Sequence, residues 1–376
     1  MEERRRAHIP EGRIDAVHAR GRGAQVNPAN RIEHISLTVL GYHLDDQLRD
    51  GEGERRIATN VYIDSAKTVI NKVTSPDVGM EWTVNPYRGC EHGCVYCYAR
   101  PTHETFGLSS GLDFESKLFA KVNAPELLRR ELAKPSWRGE TIVMSGITDP
   151  YQPIEKRLRI TRGCLEVMAE CRQPVGVITK NSLVRRDIDV LSSMAADGCA
   201  GVYVSVTSLD NRIASSMEPR ASSPSARLET IRALADAGVP VTAMVAPVVP
   251  GLTDREVPAI LKACAEAGAT SASWVMLRLP WGVKDVFTDW LAREFPERGP
   301  KVIGLIRDMR GGEMYRSETG ERMRGTGAVA AQIAQMFDLW KRRLGLDREC
   351  MGSLENRAEF RRPSLDGQMG LFDGGR

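Results

Sequence analysis

The middle of the chain alternates short apolar runs with helical patterns, and this alternation restricts the folds open to it. The runs 141–146, 175–180, 200–207, 239–249 and 271–277 are rich in β-branched residues, which favour strands. The stretches between them have helical periodicity, and three of them end in a Gly just past the last turn. Strands and helices alternating at this spacing predict βαβ units around a parallel sheet.

A further run, WTVNPY at 82–87, brings the number of strand–helix units to six, short of the eight that close a full barrel. We therefore predict an α/β fold of the partial (β/α)6 barrel type, with a doubly wound sheet as the alternative. In either fold, the loops that follow the carboxyl ends of the strands form the active face.

The composition divides the chain into four expected segments. Residues 1–30 are rich in Arg and Gly and predict a mobile basic arm, and residues 31–80 form an N-terminal extension. Residues 81–295 hold the core, and residues 296–376 form a C-terminal extension with a polar tail.

Charge and hydropathy place the chain among ordinary folded proteins. It has 42% apolar and 27% charged residues, and its net charge of +3 does not by itself identify a nucleic-acid binder. No apolar run reaches the length of a membrane span, and the basic N-terminus lacks the apolar core of a signal peptide. We therefore expect a cytoplasmic protein without a membrane partner, whose thiols stay reduced.

The stretch RGCEHGCVYCYARP places Cys90, Cys94 and Cys97 in the loop after the first predicted strand. Three thiols are an odd number in tight loops, which favours a metal over disulfides. A structural zinc site would take its fourth ligand from His92 or His103. Zinc ligands usually come as two separated pairs, whereas three thiolates in one loop suit an iron–sulfur cluster with one open iron.

The C-x3-C-x2-C spacing of CEHGCVYC, with an aromatic residue before the last Cys, resembles the radical S-adenosylmethionine (SAM) superfamily. This resemblance implies two cofactors, a [4Fe–4S] cluster and SAM. In that superfamily the open iron binds the amino and carboxylate groups of SAM. An electron from the reduced cluster then splits the sulfonium into methionine and a 5′-deoxyadenosyl radical.

Further segments look like the spore photoproduct lyase-like branch of these enzymes. The resemblance covers roughly residues 60–280 and implies a partial (β/α)6 barrel of the radical SAM type with extensions at both ends. The segments that carry it, besides the cysteine stretch, are GITDP (146–150), TK (179–180), VSVTS (204–208), EPRASS (218–223) and MVAPVVPGLTD (244–254).

The same resemblance implies a set of residues that hold SAM. Tyr96 would pack near the adenine, and Thr148 and Asp149 would hold the methionyl amino group. Lys180 would bind the carboxylate, and Ser205 would add a polar contact. The charges of Asp149 and Lys180 agree with these roles, because an ammonium group needs an acceptor carboxylate and a carboxylate needs a charged donor. The alternative for each polar residue is an ordinary cap at the end of a strand or helix.

Tyr98 matches a tyrosine that the lyase family places beside its substrate, which implies a catalytic role. The lyase also has a cysteine just after its second strand that returns a hydrogen atom to the thymine radical. The matching place here reads SGITD, with Gly146 and no thiol, so we expect a different hydrogen donor or a different substrate. The remaining cysteines of the core lie in helical patterns and are expected to be packing residues: Cys164, Cys171, Cys199 and Cys264.

Two further features bear on nucleic acid. Basic clusters at 156–162, 183–187 and 340–344 are usually solvated helix faces, and the basic arm could bind phosphate without specificity. The tail resembles the short peptide by which bacterial repair proteins dock on the DNA sliding clamp. The alternative is that its apolar side chains fold back onto the core. The residues concerned are Gln368, Met369, Leu371 and Phe372.

The sequence therefore predicts a radical SAM enzyme that cleaves SAM reductively and acts on DNA in a lyase-like or repair-like reaction. An electron donor such as flavodoxin or ferredoxin is implied. One alternative is a radical SAM enzyme that acts on a peptide or small molecule. The other is a non-catalytic iron–sulfur or zinc protein that only binds a partner.

Overall fold

The computed structural model describes residues 12–13, 21–28, 30–32, 57–348 and 360–364. Short strands are spread along most of this length. In chain order they are β1 (Gly12–Arg13), β2 (Val26–Asn27), β3 (Asn60–Ile63), β4 (Ile70–Lys72), β5 (Trp82–Val84), β6 (Tyr87–Arg88), β7 (Lys117–Ala120), β8 (Ile142–Met144), β9 (Val175–Thr179), β10 (Ala200–Ser205), β11 (Val241–Val248) and β12 (Ser271–Met276).

Helices fill the intervals between most of these strands. Short 3-10 helices span Arg100–Phe106, Ser182–Asp187 and Asp254–Glu256. The α-helices are α1 (Asp113–Ser116), α2 (Ala124–Leu132), α3 (Glu155–Leu158), α4 (Ile160–Glu170), α5 (Ile188–Ala196), α6 (Asn211–Met217), α7 (Pro224–Asp236), α8 (Val257–Glu266), α9 (Val283–Glu294), α10 (Gly299–Asp308), α11 (Glu321–Arg324) and α12 (Gly327–Arg343).

A seven-stranded sheet in the order β4-β5-β8-β9-β10-β11-β12 forms the centre of the fold. Its last six strands are parallel and lie side by side in chain order, while β4 pairs antiparallel with β5 at the edge. The six strand–helix units predicted from the sequence are therefore confirmed, with strand ends within a few residues of the predicted ones. Within the described part of the chain, β4 and β12 do not pair with each other, so the sheet is open.

Glycines end the helices where the sequence predicts that they do. Gly198, Gly238 and Gly268 follow α5, α7 and α8, and each has a positive φ of 71°, 77° and 101°, respectively. This left-handed conformation is easy for glycine and turns the chain back towards the next strand. The buried apolar residues of the sheet and helices then form the main core, which includes the four cysteines predicted to be packing residues.

A second, three-stranded sheet in the order β3-β7-β6 lies outside the predicted units. The segment 21–28, which the composition assigns to a mobile arm, packs against this region. Arg22, Gly23 and Ala24 are buried, and Arg22 donates a hydrogen bond to the Glu115 carbonyl at 2.6 Å. A buried carboxylate and backbone carbonyls therefore hold residues 22–24, and the extent of the mobile basic arm stays a prediction.

The C-terminal extension packs on the last strand–helix unit. Helix α9 completes the sixth unit, and residue Asp347 after α12 returns to form a bridge with Ser271 of β12. Phe360 fills the space beside Gly139, whose φ of +85° and lack of Cβ allow the close approach. The boundaries predicted for the four segments stay predictions, although the described parts of both extensions are packed on the core.

Candidate active site

A cavity of about 340 Å³ opens at the carboxyl ends of the parallel strands. This is the edge where the loops after β5, β8, β9 and β10 meet, as expected for such a sheet. All nine residues singled out from the sequence line it, although they come from four separate loops. They are Cys90, Cys94, Tyr96, Cys97, Tyr98, Thr148, Asp149, Lys180 and Ser205.

The loop that carries the cysteines is held by a buried ion pair. Arg100 and Glu115 are both fully buried, with Nη2 2.5 Å from Oε1. Arg100 Nε also donates to the Cys94 carbonyl at 3.0 Å, and Cys90 N donates to the Phe114 carbonyl at 3.0 Å. The ion pair therefore fixes the path of the backbone between the first and last cysteine.

The N-terminal segment closes over the same loop. The carboxylate of Glu115 accepts hydrogen bonds from Gly23 N at 3.0 Å and Ala24 N at 2.7 Å. A Cβ on Gly23 would lie 1.7 Å from the Gly93 carbonyl oxygen, so only glycine fits there. One buried carboxylate thus joins the arm, the cysteine loop and Arg100.

The three thiols are free and lie close enough to influence one another electrostatically. Burial raises the pKa of Cys90, Cys94 and Cys97, and negative neighbours raise the pKa of Cys90 and Cys94 further. Ligand thiolates therefore need added positive charge in this cavity, which a metal cluster provides. The chemistry of the donor set suits an iron–sulfur cluster, in which each thiolate binds a different iron. The described residues hold no group of three His, Cys, Asp or Glu side chains arranged to share a single metal ion.

Tyr96 is anchored by a buried charged pair. Its hydroxyl donates to Glu218 Oε1, and Glu218 Oε2 is paired with the buried Arg227. Arg227 Nη1 also donates to the Ser205 carbonyl at 3.0 Å, which links this pair to the end of β10. Burial and the neighbouring Glu218 raise the pKa of Tyr96, so the phenol stays protonated.

Thr148 uses its hydroxyl within the protein. Thr148 Oγ1 donates to the Gly89 carbonyl at 2.6 Å and accepts from Gln152 Nε2 at 3.0 Å. Gln152 in turn accepts from Glu91 N at 2.9 Å. In this structure Thr148 therefore positions the start of the cysteine loop.

Asp149 is buried and accepts several hydrogen bonds at the end of β9. Its Oδ1 accepts from Tyr151 N at 2.8 Å and Thr179 Oγ1 at 2.7 Å, and its Oδ2 accepts from Lys180 N at 2.8 Å. His92 Nδ1 lies 3.4 Å from Oδ2. Burial by itself would raise the pKa of Asp149, but His92 and these donors outweigh it and hold the pKa below its ordinary value.

Lys180 supplies a cation to the cavity. Its ammonium lies 5.9 Å from the Tyr96 ring centroid, and it forms no ion pair with any described residue. Burial is the largest influence and opposes its charge, but Glu218, Cys94 and Asp149 together outweigh burial and raise the pKa of Lys180. Ser205 is buried on the same wall at the end of β10.

Tyr98 differs from Tyr96 in being accessible, with 48% of its surface exposed. The guanidinium carbon of Arg278 lies 4.4 Å from its ring centroid. Gly146 also lines the cavity, with a φ of +130°, and a Cβ there would have ordinary contacts, the nearest 3.6 Å away. The position that the resemblance assigns to the lyase cysteine is therefore a glycine whose backbone conformation disfavours any other residue.

The two histidines considered as zinc ligands have other partners. His103 Nε2 lies 2.8 Å from the Lys117 carbonyl, and its ring packs against Phe114 with centroids 5.1 Å apart. Burial lowers the pKa of His103 to about 4. His92 Nε2 lies 3.1 Å from Asn181 Nδ2, and its Nδ1 faces Asp149.

Several functional side chains escaped the sequence reasoning. Arg100, Glu115 and Gln152 hold the cysteine loop, and Arg227 holds Glu218 beneath Tyr96. Each contacts its partner across a turn or from another unit, so no local pattern marks it. Arg278 follows the sixth parallel strand and reaches the cavity, and its position just after β12 is the one signal that could have indicated it.

A six-unit parallel sheet whose first loop brings three free thiols into a cavity is typical of enzymes of the iron–sulfur class. The family model described as "Radical SAM superfamily" matches residues 84–264, which include the whole cysteine loop and the larger part of the parallel sheet. The chain belongs to the radical SAM superfamily. Its cofactors are accordingly a [4Fe–4S] cluster and SAM, and the expectation of a non-catalytic binding protein is set aside.

Two proteins with similar sequences align with more than half of this chain. An uncharacterised protein of Mycobacterium tuberculosis is 38% identical over 256 residues, which cover 65% of this chain and 75% of the relative. An uncharacterised protein of Acidianus two-tailed virus is 31% identical over 229 residues, covering 59% of this chain and 74% of the relative. The descriptions of both relatives name no substrate or reaction.

Solved structures of spore photoproduct lyase share the fold. A cysteine-to-serine variant has a TM-score of 0.51 and 15% identity, covering 81% of this chain and 92% of the lyase chain. Another variant, with bound AdoMet and dinucleoside spore photoproduct, has a TM-score of 0.50 over 76% of this chain and 78% of that chain. At this identity the likeness establishes the fold.

Two expectations about partners concern features beyond the cavity. The residues proposed to dock on a sliding clamp, Gln368, Met369, Leu371 and Phe372, lie outside the described residues. Among the helices that the structure describes, none has the length and apolar character needed to cross a bilayer.

Proposed function

We propose that Cys90, Cys94 and Cys97 bind the [4Fe–4S] cluster and that the enzyme acts on a nucleic-acid substrate held in the same cavity. The observation that carries this proposal is the meeting of the three thiols, the Lys180 cation and an exposed tyrosine in one cavity. When bound, the cluster and SAM supply an electron and a carbon-centred radical that removes hydrogen from a substrate. The protein binds, orients and shields the reactants.

Four residues are proposed to bind SAM. Lys180 presents an ammonium without an ion-pair partner among the described residues, which suits a carboxylate. Asp149 keeps its charge through its hydrogen bonds and lines the cavity, so its negative charge attracts an ammonium group there. Tyr96 lies beneath Lys180 as a fixed aromatic wall for the adenine, and Ser205 adds a polar contact. Thr148 acts through the cysteine loop, because its hydroxyl already holds Gly89.

Tyr98 is proposed to contact the substrate. It is the accessible aromatic ring of the cysteine loop, and it faces a cavity in which Gly146 replaces a thiol. A hydrogen donor other than that cysteine is therefore part of the proposal. DNA, a sliding clamp bound through the tail, and an electron donor such as flavodoxin or ferredoxin are the proposed partners.

Deuterium transfer tests the function. Protein reconstituted with iron and sulfide would be reduced chemically and incubated with SAM that is deuterated at the 5′ position, and deuterium would be measured in the products. In a second experiment the substrate would carry the deuterium, which would be measured in 5′-deoxyadenosine. Oligonucleotide-dependent exchange of deuterium is the expected result. Exchange that depends on a peptide or small molecule instead would overturn the nucleic-acid part and favour that substrate class.

Cysteine variants test the cluster assignment separately. Ala in place of Cys90, Cys94 or Cys97 should remove the EPR and absorption of the cluster and abolish SAM cleavage. Cys264→Ala is the matched control, because this cysteine is buried in α8 and lines no part of the cavity. Iron retained by all three variants would show that other residues hold the metal.

A further inference from the structure

Two arginines on the cavity wall lack acidic partners among the residues that the structure describes. Arg278 lies two residues beyond β12, and Arg324 is the last residue of α11. Both line the cavity, and neither forms an ion pair or hydrogen bond within the described part of the chain. Because a guanidinium stays charged at all physiological pH values, both arginines bring positive charge to this wall.

Each guanidinium is placed by an aromatic ring. Arg278 stacks on Tyr98 with 4.4 Å between its carbon and the ring centroid, and Arg324 stacks on Trp274 at 4.3 Å. A cation over a ring face is attracted by the ring without using its N–H donors, and neither arginine donates a hydrogen bond within the described part of the chain. These arginines are therefore oriented without consuming the groups that would bind an anion.

A third arginine joins the two segments that carry them. Arg310 is buried and donates to the Leu277 carbonyl at 2.9 Å and to two carbonyls of α11 at 2.7 and 3.0 Å. Burial lowers the pKa of Arg310, and the charge of Arg278 lowers it further. The fold thus brings like charges together, an arrangement that an incoming anion stabilises.

Within the described structure, no acidic group forms an ion pair with Arg278 or Arg324. Asp77 lines the cavity but is paired with Arg322, with Nε 2.7 Å from Oδ2. Asp338 attracts Arg324 at longer range without forming an ion pair with it in the described structure. The countercharge for Arg278 and Arg324 is therefore left for a ligand.

The rest of this wall is apolar and rich in sulfur. Thioethers are polarisable and pack well against the edges and faces of flat rings. With the exposed ring of Tyr98, they suit a planar unsaturated group beside an anion. The methionines that line the cavity are Met80, Met244, Met276 and Met323.

We infer that Arg278 and Arg324 form a phosphate-binding subsite for an unstacked nucleotide of a nucleic-acid strand, which rests on the nucleic-acid function proposed above. The fork of N–H donors on arginine matches the oxygens of a phosphodiester. A base reaches an enclosed cavity only when it leaves its stack, so single-stranded substrate binds best. The base then lies among the methionines and against Tyr98.

The test measures binding of a short fluorescent single-stranded oligonucleotide to cluster-loaded protein in the presence of SAM. Arg278→Gln and Arg324→Gln should each weaken binding about ten-fold or more, since each removes a charged hydrogen bond. The slope of log K against log salt should fall by about 0.7 for each phosphate that the variant no longer neutralises. Cluster content and SAM affinity should stay as in the parent protein.

Arg343→Gln is the matched control. Arg343 stacks on Trp340 at 5.1 Å, in the same kind of contact, but it lies outside the cavity. This variant makes the same change in net charge and should bind the oligonucleotide within about two-fold of the parent, as solvated surface charges contribute little. If Arg278→Gln loses the iron–sulfur cluster, Arg278→Lys is measured in its place. Lys keeps the positive charge but lacks the fork of N–H donors, so this variant should still bind the oligonucleotide less tightly than the parent.

The outcomes separate this inference from the proposed function. If the parent protein binds the oligonucleotide and the two cavity variants bind it as tightly as Arg343→Gln does, the phosphate subsite is refuted. The proposed nucleic-acid function is not affected by that result. Parent protein that binds no oligonucleotide would remove the nucleic-acid function and this inference with it. Arginine-dependent binding of a Glu-rich peptide in place of the oligonucleotide would reassign the subsite to carboxylates.

Discussion

Glu115→Gln is expected to destabilise the cysteine loop from a distance. In the structure this carboxylate accepts from Arg100 Nη2 at 2.5 Å and from the amides of Gly23 and Ala24 at 3.0 and 2.7 Å. Gln keeps the shape of the side chain but removes its charge, and its NH2 group would face one of these donors. A buried Arg100 would then lack its counterion.

The expected cost follows from burial. Both members of the pair are fully buried, so Arg100 cannot recover hydration when its partner is neutralised. Removing one partner of a buried pair typically costs about 3–5 kcal/mol. That is a large part of the roughly 5–15 kcal/mol by which folded proteins are more stable than their unfolded states. The variant should also retain less iron, since Arg100 holds the Cys94 carbonyl.

Urea unfolding of the apo-protein, with iron content after reconstitution, measures both effects. Glu170→Gln provides the comparison, because Glu170 pairs with Arg129 in the same chemistry but both side chains are partly exposed. Exposed pairs are worth roughly 0–1 kcal/mol. Equal unfolding midpoints and iron contents for the two variants would refute the argument that this buried pair holds the loop.

Three further predictions concern Lys180, His103 and the C-terminal tail. Lys180→Ala should keep the cluster but weaken SAM binding by about 1.5–3 kcal/mol, and unchanged affinity in calorimetry would contradict its assignment. The pKa of His103 is about 4 in the folded protein and 6.5 in a free histidine. The buried neutral imidazole therefore makes its full contribution to folding stability above pH 6.5, and this contribution is lost as the pH falls towards 4. The pKa difference is worth about 3 kcal/mol, and His103→Gln should unfold with a correspondingly weaker pH dependence over this window. Leu371→Ala with Phe372→Ala should abolish clamp binding measured by surface plasmon resonance without lowering thermal stability, whereas a lower Tm would show that the tail packs on the enzyme.

Much of the fold follows from local patterns. Runs of β-branched residues and glycines after helices are short-range signals. They predict the six parallel strands in the right order, with each predicted strand end within a few residues of the end in the structure. The second sheet was missed because β6 and β7 are short and pair across the cysteine loop, which no periodicity reveals. The contacts that hold residues 22–24 were missed as well, because composition does not register a buried partner such as Glu115.

The sequence by itself determined the chemistry of the site. The spacing of Cys90, Cys94 and Cys97 in one loop indicates a cluster, and the position of Asp149 and Lys180 just after strands places them at the same edge. These statements depend only on the spacing of ligands and on the rule that parallel strands end together.

Tertiary structure alone decided which side chains support that chemistry and which are available to bind a substrate. Arg100 with Glu115, and Arg227 with Glu218, join residues whose pairing depends on the path of the backbone between them. In the sequence only the position of Arg278 just after a predicted strand sets it apart, and the packing around the cavity leaves it without an acidic partner in the described structure. Burial and electrostatic pairing are properties of neighbours in space, and for that reason a linear pattern does not encode them.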